Sequence, residues 1–276
     1  MPLSIINNGA SSATARANIN AAITGLNNAS GPSVIYVTTA GNNTTGDGTL
    51  AKPYLTAQKA YDIGKAAAVP FKISFGKGSF SFVESVAAVT SWLKGVEGIG
   101  FDLTTPSDSF TSLTISNIPA EASNSNGTNG FSNPPLQAEN LYLFYTAGGG
   151  SVQSNDEIGG YTGGTGGTVS IYGHALFAAA ATGGNASSNV NGEAGTGGGP
   201  GSITVKGGFL AELYCYNGTG YSGGEVPPST GGAVALDGVN GALCQTPSVY
   251  PILTLARSSL PTAFTITNDL GGNAAY

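Results

Sequence analysis

The sequence predicts an all-β fold in which short strands stack as the successive turns of a solenoid. Three segments, at 166–173, 200–207 and 231–238, share one pattern: glycines, a small residue, an apolar–small–apolar run, and a closing Gly. The alternation places two apolar side chains on one face, as in a half-buried strand. With weaker copies at 112–115 and 140–143, the first apolar residues of the copies are 28, 28, 34 and 31 residues apart. A period of this size without helical patterning indicates stacked β-strand turns, marked by Leu113, Leu141, Val169, Ile203 and Val234.

Composition excludes several classes of protein. The chain has 276 residues, 44 of them Gly, and only 9% of its residues are charged. A net charge of -6 argues against a nucleic-acid surface, which needs clustered Lys and Arg. No apolar run approaches the roughly 20 residues of a membrane span. The first residues show neither a basic nor an apolar signal-peptide region, so we expect synthesis in the cytoplasm without a signal peptide.

The two cysteines lie about one repeat apart, at Cys215 and Cys244. This spacing favours a stack of small side chains on adjacent turns of the solenoid, with a disulfide as the alternative. His174 is the only histidine, so we expect no metal site and no cofactor.

The N-terminal segment, residues 1–30, is predicted to contain a helix. Ile19, Ile23 and Leu26 fall on one narrow stripe, which needs a partner to be stable. The turn at 7–9 followed by Arg16-x-x-Ile19-Asn20 resembles the opening of many bacteriophage tail-fibre and tail-spike proteins. That resemblance implies attachment to other virion proteins and trimerisation through this segment, whereas an ordinary amphipathic helix is the alternative.

Residues 31–70 are predicted to open and cap the solenoid. A strand at 34–37 precedes a glycine-rich loop at 41–49, and Thr56 can cap a helix whose small face is Ala57, Ala60, Tyr61 and Gly64. This order resembles the opening of pectin-lyase-like right-handed parallel β-helices, and the resemblance implies that fold. The helix then covers the open end of the first turn. The loop lacks the motifs of a phosphate-binding or EF-hand site.

The body of the solenoid is predicted at 71–250, with closing strands, as a hairpin or a final turn, at 251–276. Residues 120–138 form a long polar loop of the kind that often carries function. From residue 139 onward each repeat consists of a strand, a second apolar stretch and a glycine-rich excursion. Strands stacked in register bring the excursions out on one side, where glycine-rich chains can pack together because no Cβ intervenes. The three excursions cover 147–167, 182–201 and 217–232.

The excursions carry the residues that we predict to bind glycan. Carboxylates recur in them at similar distances before each strand, and a pair of carboxylates about 5–10 Å apart is what glycoside hydrolysis needs. Solvated acids at loop tips are the alternative, and we assign no catalytic residue. The predicted glycan-binding residues are Asp156, Glu157, Tyr161, Asn185, Glu193, Tyr221 and Glu225.

Taken together, the two resemblances imply a virion protein, a homotrimeric tail fibre or tail spike that attaches to host cell-surface polysaccharide without inserting into a membrane. One alternative is an enzyme on the same scaffold, a polysaccharide depolymerase acting as hydrolase or lyase. The scarcity of catalytic residue types makes a non-enzymatic role the preferred interpretation. A second alternative is a secreted bacterial adhesin.

Overall fold

A computed structural model describes most of the chain after the N-terminal segment. The described residues are 33–84, 92–101, 110–119, 121–131, 134–153, 161–186, 195–199, 201–214 and 233–240, and four short strands between 252 and 275 whose side chains are not described.

The described elements are one helix and sixteen strands. In chain order they are β1 Ser33–Val37, α1 Ala57–Ala67, β2 Phe71–Phe75, β3 Gly78–Val83, β4 Leu93–Glu97, β5 Thr111–Asn117, β6 Ala122–Ser123, β7 Leu136–Ala147, β8 Val152–Gln153, β9 Thr168–Ala180, β10 Ser202–Lys206, β11 Phe209–Tyr214, β12 Ala233–Asp237, β13 Ile252–Ala256, β14 Ser259–Leu260, β15 Asn268–Asp269 and β16 Ala274–Ala275.

These strands form a parallel β-solenoid, as predicted. The first sheet has the order β1-β2-β4-β7-β9-β10-β12-β13-β15, so each turn adds one strand beside that of the turn before. The strands β7 and β9 are long, and their second halves continue into a second sheet with β3, β5 and β11. Between the halves of β9 the chain turns a corner at Gly173, whose φ of 124° lies in a region that side chains rarely adopt.

The core lies between the two sheets and is built from rows of apolar side chains that stack along the solenoid axis. In one row of the second sheet each residue pairs in register with the next, and all of them are at most 1% exposed. The row runs through Leu113, Leu143, Phe177 and Leu210. Full burial of each such side chain stabilises the fold by about 1.5–3 kcal/mol relative to exposure.

Helix α1 closes the N-terminal end of this core. The Thr56 hydroxyl accepts a hydrogen bond from the amide of Lys59, which makes Thr56 the N-cap, as predicted. The predicted small face of α1 is buried, and the Tyr61 ring stacks on Phe82 with centroids 4.7 Å apart. The N-terminal segment before β1 lies outside the described residues, as do Cys215 and Cys244.

The pattern of the three strong repeats is confirmed, because Val169, Ile203 and Val234 are neighbours in register. The two weaker copies were assigned wrongly. Leu113 pairs with Leu143 in the second sheet, and Leu136 is the residue that pairs with Ile171 in the first. Buried and more exposed side chains alternate in the same way along the strands of both sheets, so the sequence pattern does not show to which sheet a strand belongs. At the C-terminus β13 continues the first sheet in parallel, which is a further turn and not a hairpin.

Candidate functional site

The described parts of the glycine-rich excursions at 147–167 and 182–201, together with residues 121–131, form one ordered layered structure beside the solenoid, which we call the polyglycine lattice. The third predicted excursion, 217–232, lies outside the described residues. Each of the three segments in the lattice has an outward leg that leaves the second sheet and a return leg that leads to the first. The described outward legs are 121–124, 147–153 and 181–186; the described return legs are 126–131, 161–168, and 195–199 with Gly201.

The central return leg, residues 161–168, shows how the lattice is held. Its successive amides bond to three different legs: Thr162 to the Asn126 side chain, Gly163 to the Thr196 carbonyl at 2.8 Å, and Gly164 to the Gly150 carbonyl at 3.0 Å. The next three amides repeat the same order of partners. A threefold extended helix of the polyproline II type has this property, since it makes no internal hydrogen bonds and turns once per three residues.

Glycine is required in the lattice because the legs approach too closely for a side chain. A Cβ on Gly149 would overlap the Gly164 carbonyl, and one on Gly163 would overlap the carbonyl of Gly184. Neither glycine has a φ in the left-handed region, so the absence of a side chain, and not an unusual backbone conformation, is what matters here.

The lattice has two layers, one of outward legs and one of return legs. Neighbouring legs within a layer run parallel: β6 pairs with β8, Val152 with Ala186, and Thr162 with Thr196. Hydrogen bonds such as Gly150 amide to Thr128 carbonyl, at 2.8 Å, cross between the layers. The described residues on either side of 154–160 and of 187–194 are therefore held at adjacent positions.

The outer face of the return-leg layer is polar and uncharged. Thr162, Thr165 and Thr196 are exposed there, and the side chains of Asn126 and Asn129 accept hydrogen bonds from the amides of Thr162 and Thr165. Asn126 and Asn129 lie in the loop predicted only as polar. The signal that assigns this loop to the lattice is the three-residue spacing of Asn126-Gly127 and Asn129-Gly130, which matches one turn of the leg.

Two of the predicted glycan-binding residues are described, and the lattice brings them to the same end. Tyr161 begins a return leg two residues before Gly163, Asn185 directly follows Gly184, and these two glycines face each other. The Tyr161 carbonyl accepts from Thr196, and the Asn185 carbonyl accepts from Val152, so both backbones are fixed by neighbouring legs. The other predicted residues, Asp156, Glu157, Glu193, Tyr221 and Glu225, lie outside the described residues.

A surface pocket with a volume of about 300 Å³ lies in the loop before α1, and Lys52 forms part of its wall. The Asp47 carboxylate in this loop accepts hydrogen bonds from the hydroxyl and the amide of Thr49. These bonds lower the pKa of Asp47, and its carboxylate thus serves to hold the turn.

The described ranges contain neither a group of side chains suited to a metal ion nor a membrane-spanning helix. Among those residues no three or more His, Cys, Asp and Glu side chains are grouped to hold a metal ion. In the same part of the chain, no helix has the length and apolar character required to span a membrane.

Comparison with protein-family models, curated proteins and solved structures finds no match for this chain. The function is therefore inferred from the chemistry of the described residues.

Proposed function

We propose that this protein is a receptor-binding structural protein of a bacteriophage tail fibre or tail spike, which attaches the virion to polysaccharide on the host surface. The observation that supports it best is the polyglycine lattice, which holds neighbouring outward and return legs in register. The solenoid spaces these legs along its axis, as a binder of a repeating polymer requires.

The chemistry of the lattice suits a polysaccharide ligand. Hydroxyl and amide groups such as those of Thr162, Thr196 and Asn185 both donate and accept hydrogen bonds, which matches the hydroxyl groups of sugars. Because the legs are fixed by backbone hydrogen bonds, binding costs little conformational entropy in the legs.

The proposal includes a homotrimer and a junction with other virion proteins through residues 1–30. Three copies would present three lattices to one polymer, and multivalent attachment compensates for a weak single site. Light scattering at micromolar concentration tests this part: we expect three times the 27.3 kDa chain mass, and a monomer would refute the trimer.

The binding test is an array of bacterial surface polysaccharides probed with the intact protein. We expect a subset of the polysaccharides to bind, and Tyr161→Ala and Asn185→Ala to weaken that binding. The matched control is Tyr172→Ala, which removes an exposed aromatic from the outer face of the first sheet, away from the lattice. An array without any bound polysaccharide, or lattice variants that bind as well as the control, would contradict the proposal.

The same samples test for enzymatic action. New reducing ends or unsaturated uronates that disappear in Glu157→Gln, Glu193→Gln or Glu225→Gln would establish a depolymerase instead of a binding protein.

A further inference from the structure

The outer face of the second sheet carries a group of aromatic side chains, which we call the aromatic platform. In register across three turns, Leu176 of β9 lies between Tyr142 of β7 and Phe209 of β11. The neighbouring rows place Ala178 between Phe144 and Glu212, and Ala180 between Thr146 and Tyr214. The platform consists of Tyr142, Phe144, Phe209, Glu212 and Tyr214, all half-buried.

The small residues of β9 form the floor beneath these rings. Leu176, Ala178 and Ala180 are 3%, 0% and 8% exposed, although they point away from the core cluster between the sheets. The large side chains on both sides account for this burial. Tyr214 lies close enough to Tyr142, on the other side of β9, for its charge to raise the pKa of Tyr142.

The platform continues around the corner of the solenoid through two more rings. Phe101 and the exposed His174 each contact Phe209, with ring centroids 5.9 and 5.7 Å apart, and they contact each other at 6.0 Å. The carboxylate of Glu139 lies at the edge of this cluster and accepts the His174 amide hydrogen at 3.2 Å. The cluster of Phe101, His174 and Phe209 thus extends the platform, with the carboxylate of Glu139 at its edge.

We infer that the aromatic platform binds a neutral hexopyranose chain, at a site separate from the polyglycine lattice. The apolar C–H faces of pyranose rings carry slight positive charge and suit the negative faces of aromatic rings. The carboxylate of Glu212, which already accepts the Tyr214 hydroxyl at 3.1 Å, is positioned to accept sugar hydroxyls. A few polar groups among aromatic side chains are typical of small-molecule sites.

Charge selects the class of sugar. Glu139 lies at the edge of the platform and Glu212 lies within it, no ion pair among the described residues neutralises either carboxylate, and the whole chain has a net charge of -6. Uronate or sialate chains would bring further negative charge against these carboxylates, whereas neutral hexoses use them as acceptors. The inference rests on the proposed function only in taking a surface polysaccharide as the ligand.

Hydroxyl-radical footprinting of the intact protein gives a direct readout at the platform. The probes are the neutral and the acidic polysaccharides of the array, each added in solution. We expect neutral polysaccharides that bind to protect Tyr142 and Tyr214 from oxidation, while oxidation of Tyr172 on the first sheet stays unchanged. Protection that depends on protein concentration instead of added sugar would mean that a second copy of the chain covers the platform, and would overturn the inference.

The matching variants are Glu212→Ala and Tyr214→Ala. The controls are Asp62→Ala, which removes another carboxylate, on α1, and Tyr172→Ala, which removes another tyrosine. We expect Glu212→Ala to weaken binding of a neutral polysaccharide by about tenfold or more, because it removes a charged acceptor. The Asp62→Ala control should bind within about twofold of the parent protein, since an exposed charge contributes little.

These results separate the two sites. If platform variants bind as well as the parent protein while Tyr161→Ala does not, the platform is refuted and the proposed function stands. If a neutral polysaccharide protects the platform but lattice variants have no effect, the platform stands and the lattice proposal fails. Binding of acidic polysaccharides alone would overturn the platform's assignment.

Discussion

The phenolic hydroxyl of Tyr145 donates a 2.7 Å hydrogen bond to the carboxylate of Glu84, and both side chains are at most 3% exposed. The bond connects the end of the second sheet in one turn with the strand β7 two turns further along the solenoid. It lies where the chain leaves the sheets for the lattice.

Tyr145→Phe is expected to lower the free energy of unfolding by about 1–3 kcal/mol, because a buried carboxylate then loses a hydrogen-bond donor. Denaturant unfolding measures the change. Tyr172→Phe, an exposed tyrosine on the first sheet, serves as the control and should unfold like the parent protein. Equal unfolding midpoints for both variants would show that the buried bond contributes nothing.

Gly184→Ala is expected to disrupt the polyglycine lattice, since the new Cβ would overlap the carbonyl of Gly150. This carbonyl cannot move away easily, because it accepts a hydrogen bond from the Gly164 amide. Overpacking of this kind costs about 1–3 kcal/mol or more. Hydrogen exchange should show faster exchange at the amides of Gly164 and Gly198, which bond across the lattice.

The control for this substitution is Gly199→Ala in the same lattice. Its Cβ would meet only the Thr165 methyl group at 3.4 Å, an ordinary contact. We expect Gly199→Ala to leave exchange unchanged. If the two variants exchange alike, the lattice does not depend on close approach of its legs.

Thr56→Ala is expected to cost about 1 kcal/mol, because the Thr56 hydroxyl caps α1 and also accepts a 2.9 Å hydrogen bond from the Asn43 side chain. Thermal or denaturant unfolding measures it, with the exposed Thr44→Ala as the matched threonine control. A cost no greater than that of Thr44→Ala would remove the cap from the account of how the solenoid is closed.

The pKa of Tyr142 provides a spectroscopic test of the platform. Burial, followed by the charges of Glu212 and Tyr214, raises this pKa to about 12 from the ordinary 10.0. The difference in absorbance near 295 nm between the parent protein and Tyr142→Phe should therefore report a tyrosine that ionises late, and Glu212→Gln should bring the pKa of that tyrosine down. Asp62→Gln should not change it.

The same shift makes stability depend on pH. The folded state retains the Tyr142 proton at pH values where the unfolded chain has released it, so this contribution is complete below pH 10 and is lost as pH rises from about 10 to about 12. Glu212→Gln should flatten that dependence. A parent protein whose stability is constant across this interval would contradict the assigned environment of Tyr142.

The sequence predicted the solenoid and its cap because local patterns determine both. The segments at Val169, Ile203 and Val234 show the alternation that is typical of a strand, and Thr56 marks the start of the helix. The close packing of glycine-rich chains was also predicted. The leg at 126–131 was missed because glycines three residues apart read as an ordinary polar loop when only the periods of helix and strand are considered.

The aromatic platform was not predictable, because it depends on register between turns. Tyr142, Phe209 and Tyr214 lie up to 72 residues apart in the chain and meet only when β7, β9 and β11 are aligned. A bulge between Leu210 and Glu212 then decides that Glu212 faces outward with the rings. No pattern within a single strand contains that information.

The need for glycine that the structure shows lies inside the lattice, at positions such as Gly149, Gly163 and Gly184. Gln153 and Tyr161 are held by neighbouring legs, and so are Ala186 and Thr196. We therefore expect insertions and deletions between 154 and 160, or between 187 and 194, to leave the described legs in place. Under the proposed function, host range would diversify by exchange of these two segments on an unchanged scaffold.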